Sequence, residues 1–397
     1  MTHQFFPIIE VLVFAAAISS IAYYGLCLWS AASFLRDKAC GNKASATPDS
    51  PPVSILKPLK GTDPEMYESF RSHCLQEYPH YEIIFGVSEP NDPAIELVER
   101  LKAEFPEHKI RLVHCRENLG ANTKVSNLSQ MLPEAGYECV IVNDSDIRVP
   151  PDYLRRVLAP LADPNVGLVT CLYRGVASST LGSRLESLGI STDFCAGVLV
   201  ARRIEGIRFG LGSTLAFRRH TLQAIGGFAA FVDFLADDYQ LGNRIAELGL
   251  KIGLSSVVVE SFLPRYTMLG FFDHQLRWAR TVRDSRFWGY LGTCITFGLV
   301  WAALVLILAR SGWAWMLLIA VAAARLAVAL VVGRVVLNDR QVVRFLRLIP
   351  LRDLLAFSVW AASFVGHTVS WRGESFQLQN GKLARITPDS SSSHKTA

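Results

Sequence analysis

The sequence predicts an α/β domain with a mostly parallel sheet, held between membrane-spanning helices at both ends of the chain. Hydrophobic residues make up 50% of the 397 positions and the mean hydropathy is +0.26, which is more apolar than an ordinary soluble protein. The most apolar stretches lie near the two ends of the chain. Between them, short apolar runs alternate with helical patterns, and this alternation is typical of a parallel sheet covered by helices on both faces.

Residues 1–36 are predicted to form a retained membrane anchor. The run 8–28 is uncharged apart from Glu10 and is about as long as a spanning helix requires. The residues before it lack the basic segment of a secretory signal, and no small-residue cleavage site follows them. We therefore expect the anchor to stay attached, with residues 37–52 forming a linker.

Residues 289–371 are predicted to form a second membrane region with two or three spans. Two apolar runs cover 290–308 and 313–337, and the second of them carries Arg325. A shorter run, 354–369, either spans the membrane or re-enters it. The final segment, 372–397, ends in a low-complexity stretch and is predicted to be a partly disordered tail.

Basic residues predict how the chain is oriented in the membrane. They follow the first apolar run and fill the segment between the third and fourth runs; these residues are Arg36, Lys38, Lys43, Arg340, Arg344, Arg347 and Arg352. Because basic residues collect on the cytoplasmic side, we expect a multi-pass protein of the cytoplasmic (inner) membrane whose central domain faces the cytoplasm.

Charge and cysteine content exclude some classes of function. The net charge of +5 is modest and the basic residues are dispersed, so nucleic-acid binding is not indicated. The eight cysteines are scattered and form no CxxC pair. This pattern argues against a zinc site or a disulfide framework, and it favours a reducing compartment.

The central domain is predicted to cover residues 53–266. Its first half contains strands at 53–59, 82–89, 110–114 and 139–144, separated by helices at 64–77, 93–105 and 124–132. Ligands of such sheets bind beyond the carboxyl ends of the strands. Asp92 and Asp144 both follow strands, so both are expected at this edge of the sheet.

The second half is less regular. Strands are predicted at 166–175 and 212–219, and Asp237 and Asp238 open a helix that Gly249 can close. Residues 267–288 are rich in Arg, Phe and Trp, a composition that suits a helix lying in the plane of the membrane interface.

Several acidic side chains are candidates for chemistry, and each has a structural alternative. Asp144 and Asp146, in "VIVNDSDIRV", can together bind a hard divalent cation, Mg²⁺ or Mn²⁺, or they can simply form a turn after a strand. Asp237 and Asp238 can cap a helix, while Asp238 can also act as a general base if burial raises its pKa. Asp92 lies in an Asn-Asp-Pro turn that can begin a helix.

The order of these motifs resembles the ceramide-glucosyltransferase-like branch of the GT-A glycosyltransferases, and most of all its bacterial hopanoid-biosynthesis-associated members. The resemblance spans roughly residues 53–290 and is carried by "VSILKPLKG", "NDPAIELVERL", "GANTKVSNL", "NDSDIRV", "GLVTCLYRG", "LADDYQLG" and "HQLRWAR". It implies a Rossmann-like GT-A catalytic domain.

The resemblance also implies roles for individual residues. Asp92, with Glu89 and Lys124 nearby, would hold the uridine of a UDP-sugar. Asp144 and Asp146 would bind the metal that bridges the diphosphate, and Asp144 would also contact the donor. Asp238, beside Asp237, would deprotonate the acceptor hydroxyl. Arg277 and Trp278 would contact the pyrophosphate or the acceptor; without the family they could be interfacial anchors alone.

One position departs from the family pattern. Many processive relatives have Gln or Arg three residues before the Arg-Trp pair, where this chain has His274. The preferred hypothesis is therefore an inverting transferase that moves a single hexose or N-acetylhexosamine, from UDP-GlcNAc or UDP-glucose, to a lipid hydroxyl, with a hopanoid polyol favoured over ceramide. Two alternatives are a processive polysaccharide synthase and a non-enzymatic membrane scaffold or transporter.

Overall fold

The fold is described from a computed structural model that covers residues 5–44, 50–371 and 374–386. The helices are α1 (Phe5–Ala44), α2 (Met66–Cys74), α3 (Ala94–Glu104), α4 (Thr123–Met131), α5 (Tyr153–Leu158), α6 (Leu181–Gly189), α7 (Cys195–Ile204), α8 (Arg219–Ala224), α9 (Asp237–Glu247), α10 (Met268–Ser285), α11 (Phe287–Gly292), α12 (Gly298–Ala309), α13 (Gly312–Val328), α14 (Arg340–Phe345) and α15 (Ile349–Ser363). The strands are β1 (Val53–Leu59), β2 (Tyr81–Val87), β3 (Lys109–His114), β4 (Cys139–Val142), β5 (Ile147–Arg148), β6 (Val166–Val176), β7 (Leu215–Arg218), β8 (Lys251–Phe262), β9 (Thr368–Trp371), β10 (Glu374–Gln379) and β11 (Lys382–Arg385).

An eight-stranded sheet in the order β3-β2-β1-β4-β7-β6-β8-β5 forms the centre of the α/β domain. Strands β3, β2, β1 and β4 are parallel, as are β6 and β8. Strand β7 runs antiparallel to both β4 and β6. The predicted α/β class with a mostly parallel sheet is confirmed.

Burial explains why the first strands were recognisable. Every residue of β1 and β4 is buried, because helices cover both faces of the sheet, and strands in that position are mostly apolar. Apolar side chains form a core on each face, with Ile55 and Ile141 in one and Leu56 and Val140 in the other. Alternate residues of a strand thus supply opposite cores.

Two described helices are long and apolar enough to cross a membrane, at Ile8–Ala39 and Gly312–Val336. A third candidate is a pair bent by 58°, Phe287–Thr296 with Gly298–Ala309. The short run 354–369 is not one helix, because α15 ends at Ser363 and Thr368 begins β9. At 15 residues, α15 is also shorter than a spanning helix usually is.

Two segment boundaries differ from the expected ones. Helix α1 continues to Ala44, so it includes the first half of the predicted 37–52 linker, whose residues 45–49 lie outside the described part. The first part of the predicted tail contains strands β10 and β11, which join β9 in a three-stranded antiparallel sheet, the C-terminal sheet. The low-complexity residues 387–397 lie outside the described residues.

Candidate active site

A cavity of about 860 Å³ opens where the strands of the central sheet end. Its lining combines acidic side chains from the loops after β1 and β4 and from α9 with side chains from α10 and the apolar helices. Of the predicted site residues, it is lined by Lys124, Asp144, Asp146, Asp237, Asp238, His274, Arg277 and Trp278. We call this space the central cavity.

The turn that carries Asp144 is held by buried polar contacts. Asn143 donates from Nδ2 to the Ser213 carbonyl at 2.7 Å and to the Tyr153 hydroxyl at 2.9 Å. Beneath it, the Lys57 ammonium donates to the Asp144 carbonyl oxygen at 3.0 Å. Burial lowers the pKa of Lys57 to about 7, although the carboxylates of Asp146 and Asp144 oppose this. The backbone of the acidic turn is therefore fixed from below.

Lys124 joins the two acidic motifs. Its ammonium lies 2.8 Å from Asp144 Oδ1 and 3.0 Å from Asp237 Oδ2. Burial opposes the charge of Lys124, but the two carboxylates outweigh it and raise its pKa. The cavity thus contains a cation whose charge depends on carboxylates from two separate parts of the sequence.

Asp146 sits in a different environment from Asp144. Burial, followed by the nearby charge of Asp144, raises the pKa of the Asp146 carboxyl to about 7, while a hydrogen bond from the Ser261 hydroxyl lowers it. A cation between the two carboxylates would relieve this repulsion. Their oxygen donors suit Mg²⁺ or Mn²⁺.

The protein would supply only part of such a metal site. Among the described residues, no group of three or more His, Cys, Asp or Glu side chains is placed to hold an ion. Mg²⁺ is commonly held by one or two carboxylates together with substrate phosphates. Asp144 and Asp146 fit that arrangement, in which substrate phosphates would supply further ligands.

Asp238 is positioned by two backbone N–H groups. Gly212 donates to Asp238 Oδ2 at 3.0 Å, and Tyr239 donates to Oδ1 at 2.7 Å. Burial and the adjacent Asp237 nevertheless raise the pKa of Asp238 to about 6, while Lys124 opposes the rise. A carboxylate with a pKa near 6 is suited to act as a general base near neutral pH.

Gly212 shows how closely the acidic motifs approach each other. A Cβ atom added there would lie 3.1 Å from Asp144 Oδ2 and 3.5 Å from Asp238 Oδ2. Both carboxylates therefore border one narrow space, which only a residue without a side chain leaves open. Sequence analysis did not single out Gly212, which it placed at the start of the predicted strand 212–219.

The Arg-Trp motif lies on α10. The His274 ring stacks on Tyr266 with centroids 5.2 Å apart and also contacts the Trp278 ring at 5.1 Å. His274 Nδ1 is 3.5 Å from the buried Glu186 carboxylate, which also accepts a hydrogen bond from Gln275 at 2.7 Å. Glu186 was not a predicted site residue, and it holds the side of α10 that faces the cavity.

Asp92 and Glu89 are not among the residues that line the central cavity. Asp92 is buried, and its two oxygens accept hydrogen bonds from the backbone N–H groups of Gly61 and Ala94, both at 2.9 Å. These contacts fit the alternative interpretation of Asp92 as a turn residue. They also tie it to the loop after β1, where Lys60 and Asp63 line the cavity although neither was predicted to do so.

The central cavity extends from the carboxylates to the apolar helices. Tyr24 of α1, Phe297 and Trp360 line this part. So does Arg325, whose guanidinium is 1% exposed and pairs with Asp353 at 2.9 Å and with Asp193 at 2.7 Å. One continuous space therefore joins polar chemistry at the sheet to the two regions that carry membrane-spanning candidates.

Comparison with known families gives a match over nearly the whole chain. The description of the matching family is glycosyl transferase family 21, and the match covers residues 12–384. Among curated proteins, ceramide glucosyltransferase 1 of Caenorhabditis elegans is 26% identical over 240 residues, which is 60% of this chain and 51% of that protein. Ceramide glucosyltransferase of Komagataella phaffii is 31% identical over 148 residues, 36% of this chain and 28% of that protein. The chain spans about half the length of the first of these relatives.

A solved structure with a similar fold is a mannosyltransferase from Pyrobaculum calidifontis in complex with GDP-Man and Mn²⁺. It is 20% identical, has a TM-score of 0.54, and the match covers 90% of this chain and 99% of that chain. At this identity the likeness concerns the fold, and it confirms the GT-A fold expected for the α/β domain.

Proposed function

The chain belongs to glycosyl transferase family 21, and we propose that it is a membrane-bound inverting enzyme that transfers a single hexose or N-acetylhexosamine from a UDP-sugar to a lipid hydroxyl. The observation that carries this proposal is the continuity of the central cavity, which joins Asp144 and Asp238 to side chains of the apolar helices. Family membership argues against a non-enzymatic scaffold or transporter.

The position of the cavity supports a lipid acceptor. Lifting a lipid alcohol out of a bilayer costs about 0.8 kcal/mol for each CH₂ exposed, so an enzyme that glycosylates lipids must bring its site to the membrane. Curated relatives named as ceramide glucosyltransferases support the same acceptor class. Ceramide and a hopanoid polyol are the two acceptors we propose, with UDP-glucose or UDP-GlcNAc as donor.

At the donor, the proposal assigns Asp144 and Asp146 to a divalent cation. A bound Mg²⁺ or Mn²⁺ would stabilise the negative charge that develops on the leaving diphosphate. Lys124, held between Asp144 and Asp237, is placed to meet a phosphate if either ion pair opens. Asp92 and Glu89 remain proposed for the uridine, Asp92 by way of the loop after β1, which it holds through the Gly61 N–H.

At the acceptor, Asp238 would remove the proton of the attacking hydroxyl. Its raised pKa, about 6, leaves it ionised at neutral pH yet basic enough to accept a proton in the transition state. Attack from the face opposite the leaving diphosphate inverts the anomeric centre. Helix α10 would line the acceptor-binding part of the cavity with Arg277, Trp278 and His274. The basic residues that flank the apolar runs support a cytoplasmic orientation of the domain.

The direct test measures label transferred into lipid. The purified full chain is given radiolabelled UDP-glucose or UDP-GlcNAc, with ceramide or a hopanoid polyol in mixed micelles and with Mn²⁺ or Mg²⁺. We expect label in the lipid phase with at least one pair, and a loss of about 100- to 10,000-fold in Asp238→Asn. Glu99→Gln, which changes an exposed carboxylate on α3 that pairs with Lys102, is the matched control and should retain activity. Equal transfer by Asp238→Asn and the parent would overturn the assignment.

A further inference from the structure

We propose that the C-terminal sheet is part of the substrate site, and that Trp371 and Glu374 bind a polyhydroxylated group there. The group is either the donor sugar or the polyol end of the acceptor, which share this chemistry. The inference rests on the proposed glycosyl transfer. It concerns the end of the predicted membrane region and the start of the segment predicted to be a partly disordered tail.

The register of the sheet brings the two side chains together. Glu374 of β10 lies directly opposite Trp371 of β9, so both project to the same face. Alternation along the strands places Val369, Phe376 and Leu378 on that face too, and all three are buried. Trp371 and Glu374 both line the central cavity. The sheet therefore presents Trp371, Glu374 and the buried Phe376 to the cavity that Asp238 also lines.

Backbone hydrogen bonds fasten the C-terminal sheet to the loop before α9. Leu235 N–H donates to the Gly381 carbonyl at 3.2 Å, and Leu383 N–H donates to the Asp233 carbonyl at 2.8 Å. Leu235 also packs in a small apolar cluster with Phe376. This loop leads directly into Asp237 and Asp238, so the sheet is placed relative to the proposed base.

The same sheet is also fastened to α10. Asp284 accepts a hydrogen bond from the Gly381 N–H, and Arg280 donates to the Thr368 carbonyl. Arg283, which is buried, donates to the Gly366 carbonyl at 3.2 Å and contacts His367 Nδ1 at 3.0 Å. The sheet thus bridges the loop before Asp238 and the helix that carries Arg277 and Trp278.

The chemistry of the pair suits a sugar or polyol. An indole offers a flat apolar face and one N–H donor, which match the C–H face and a hydroxyl of a pyranose. A carboxylate accepts hydrogen bonds from hydroxyl groups strongly. Glu374 is 3.6 Å from Arg385, a separation longer than a direct hydrogen bond, so this contact does not use up its acceptor capacity.

The experiment compares ligand binding by Trp371→Ala and Glu374→Gln in the full chain. Titration calorimetry with Mn²⁺ measures Kd for UDP and for UDP-glucose, and transfer kinetics give KM for the lipid acceptor. If the pair binds the donor sugar, each variant raises the Kd of UDP-glucose roughly three- to tenfold and leaves the Kd of UDP unchanged. If it binds the acceptor polyol, both donor constants stay unchanged and the acceptor KM rises by a similar factor.

Either of those results supports the inference, and two others overturn it. Unchanged binding and kinetics in both variants would show that the cavity face of the sheet meets no substrate. An equal loss of UDP and UDP-glucose binding would show that the sheet only supports the fold. Gln377→Ala, an exposed position on β10 outside the cavity lining, is the matched control. Absence of transfer by the parent would count against the proposed function. The titrations with UDP and UDP-glucose would still test whether Trp371 and Glu374 bind the donor sugar.

Discussion

The raised pKa of Asp238 predicts a specific pH dependence of transfer. Because a general base must be ionised, activity is complete above its pKa and falls as pH drops through about 6. At pH 5, one unit below that value, roughly one tenth of Asp238 is ionised, so kcat/KM should be about tenfold lower than at pH 7.5. With the ordinary pKa of 3.8, the same change of pH would reduce kcat/KM by less than about a tenth of its value.

A neighbouring substitution identifies the group that titrates. The charge of Asp237 helps to raise the pKa of Asp238, whereas it is not among the causes of the raised pKa of Asp146. Asp237→Asn should therefore move the acidic limb of the kcat/KM profile to lower pH. The assay is radiolabel transfer at saturating Mn²⁺ from pH 4.5 to 8. A profile that is flat down to pH 5, or a limb that Asp237→Asn does not move, would refute the assignment of Asp238 as the base.

Three further predictions concern other parts of the site and the apolar helices. Asp144→Asn and Asp146→Asn should each weaken Mn²⁺-dependent UDP binding at least about tenfold in calorimetry, because each removes a charged oxygen ligand; parent-like binding would contradict the metal assignment. Gly212→Ala should lower kcat about tenfold or more with little change in thermal stability, since the added Cβ would enter the space 3.1 Å from Asp144 Oδ2; unchanged kcat would show that this space is not used. Arg325→Met should destabilise the protein by about 3–5 kcal/mol when it is unfolded in detergent, because it leaves the buried Asp353 carboxylate without its cation, whereas Arg310→Met, at an exposed position, should change the stability little; equal effects would show that the ion pair between Arg325 and Asp353 does not stabilise the fold.

The predictable part of the fold was the part encoded by local patterns. Strands β1, β2 and β4 are mostly apolar because both of their faces are covered. The acidic turn after β4 was a candidate site because ligands of parallel sheets bind beyond the carboxyl ends of the strands. Strand β8 was not predicted. It is buried at alternate positions, so its pattern resembles that of many exposed segments.

The C-terminal sheet was missed for a different physical reason. Its three strands are short, and β10 has exposed residues at alternate positions, so little in the local sequence distinguishes it from a polar tail. Its stability comes from contacts distant in sequence, such as the hydrogen bond from Leu235 N–H to the Gly381 carbonyl. The local sequence of the segment does not reveal these distant contacts.

In the candidate site, too, local features were predictable and features that depend on the folded structure were not. Asp144, Asp146, Asp237 and Asp238 were found because carboxylates at strand ends and helix starts are visible in the sequence. That Lys124 would bridge Asp144 and Asp237, and that Asp92 would direct both oxygens to backbone N–H groups, depended on loop conformations. Gly212 matters because it has no side chain, so it offers no chemical group by which to recognise it.

The central claim is that the enzyme adds one sugar to a lipid in the central cavity, beside the apolar helices. Mass spectrometry of the lipid extract tests it most directly, after the purified full chain has been incubated with Mn²⁺, a UDP-sugar and each acceptor. The account predicts a lipid product heavier than its acceptor by a single hexose or N-acetylhexosamine residue, formed by the parent and not by Asp238→Asn. A ladder of polymer masses, or unmodified lipid with every donor and acceptor pair, would contradict it.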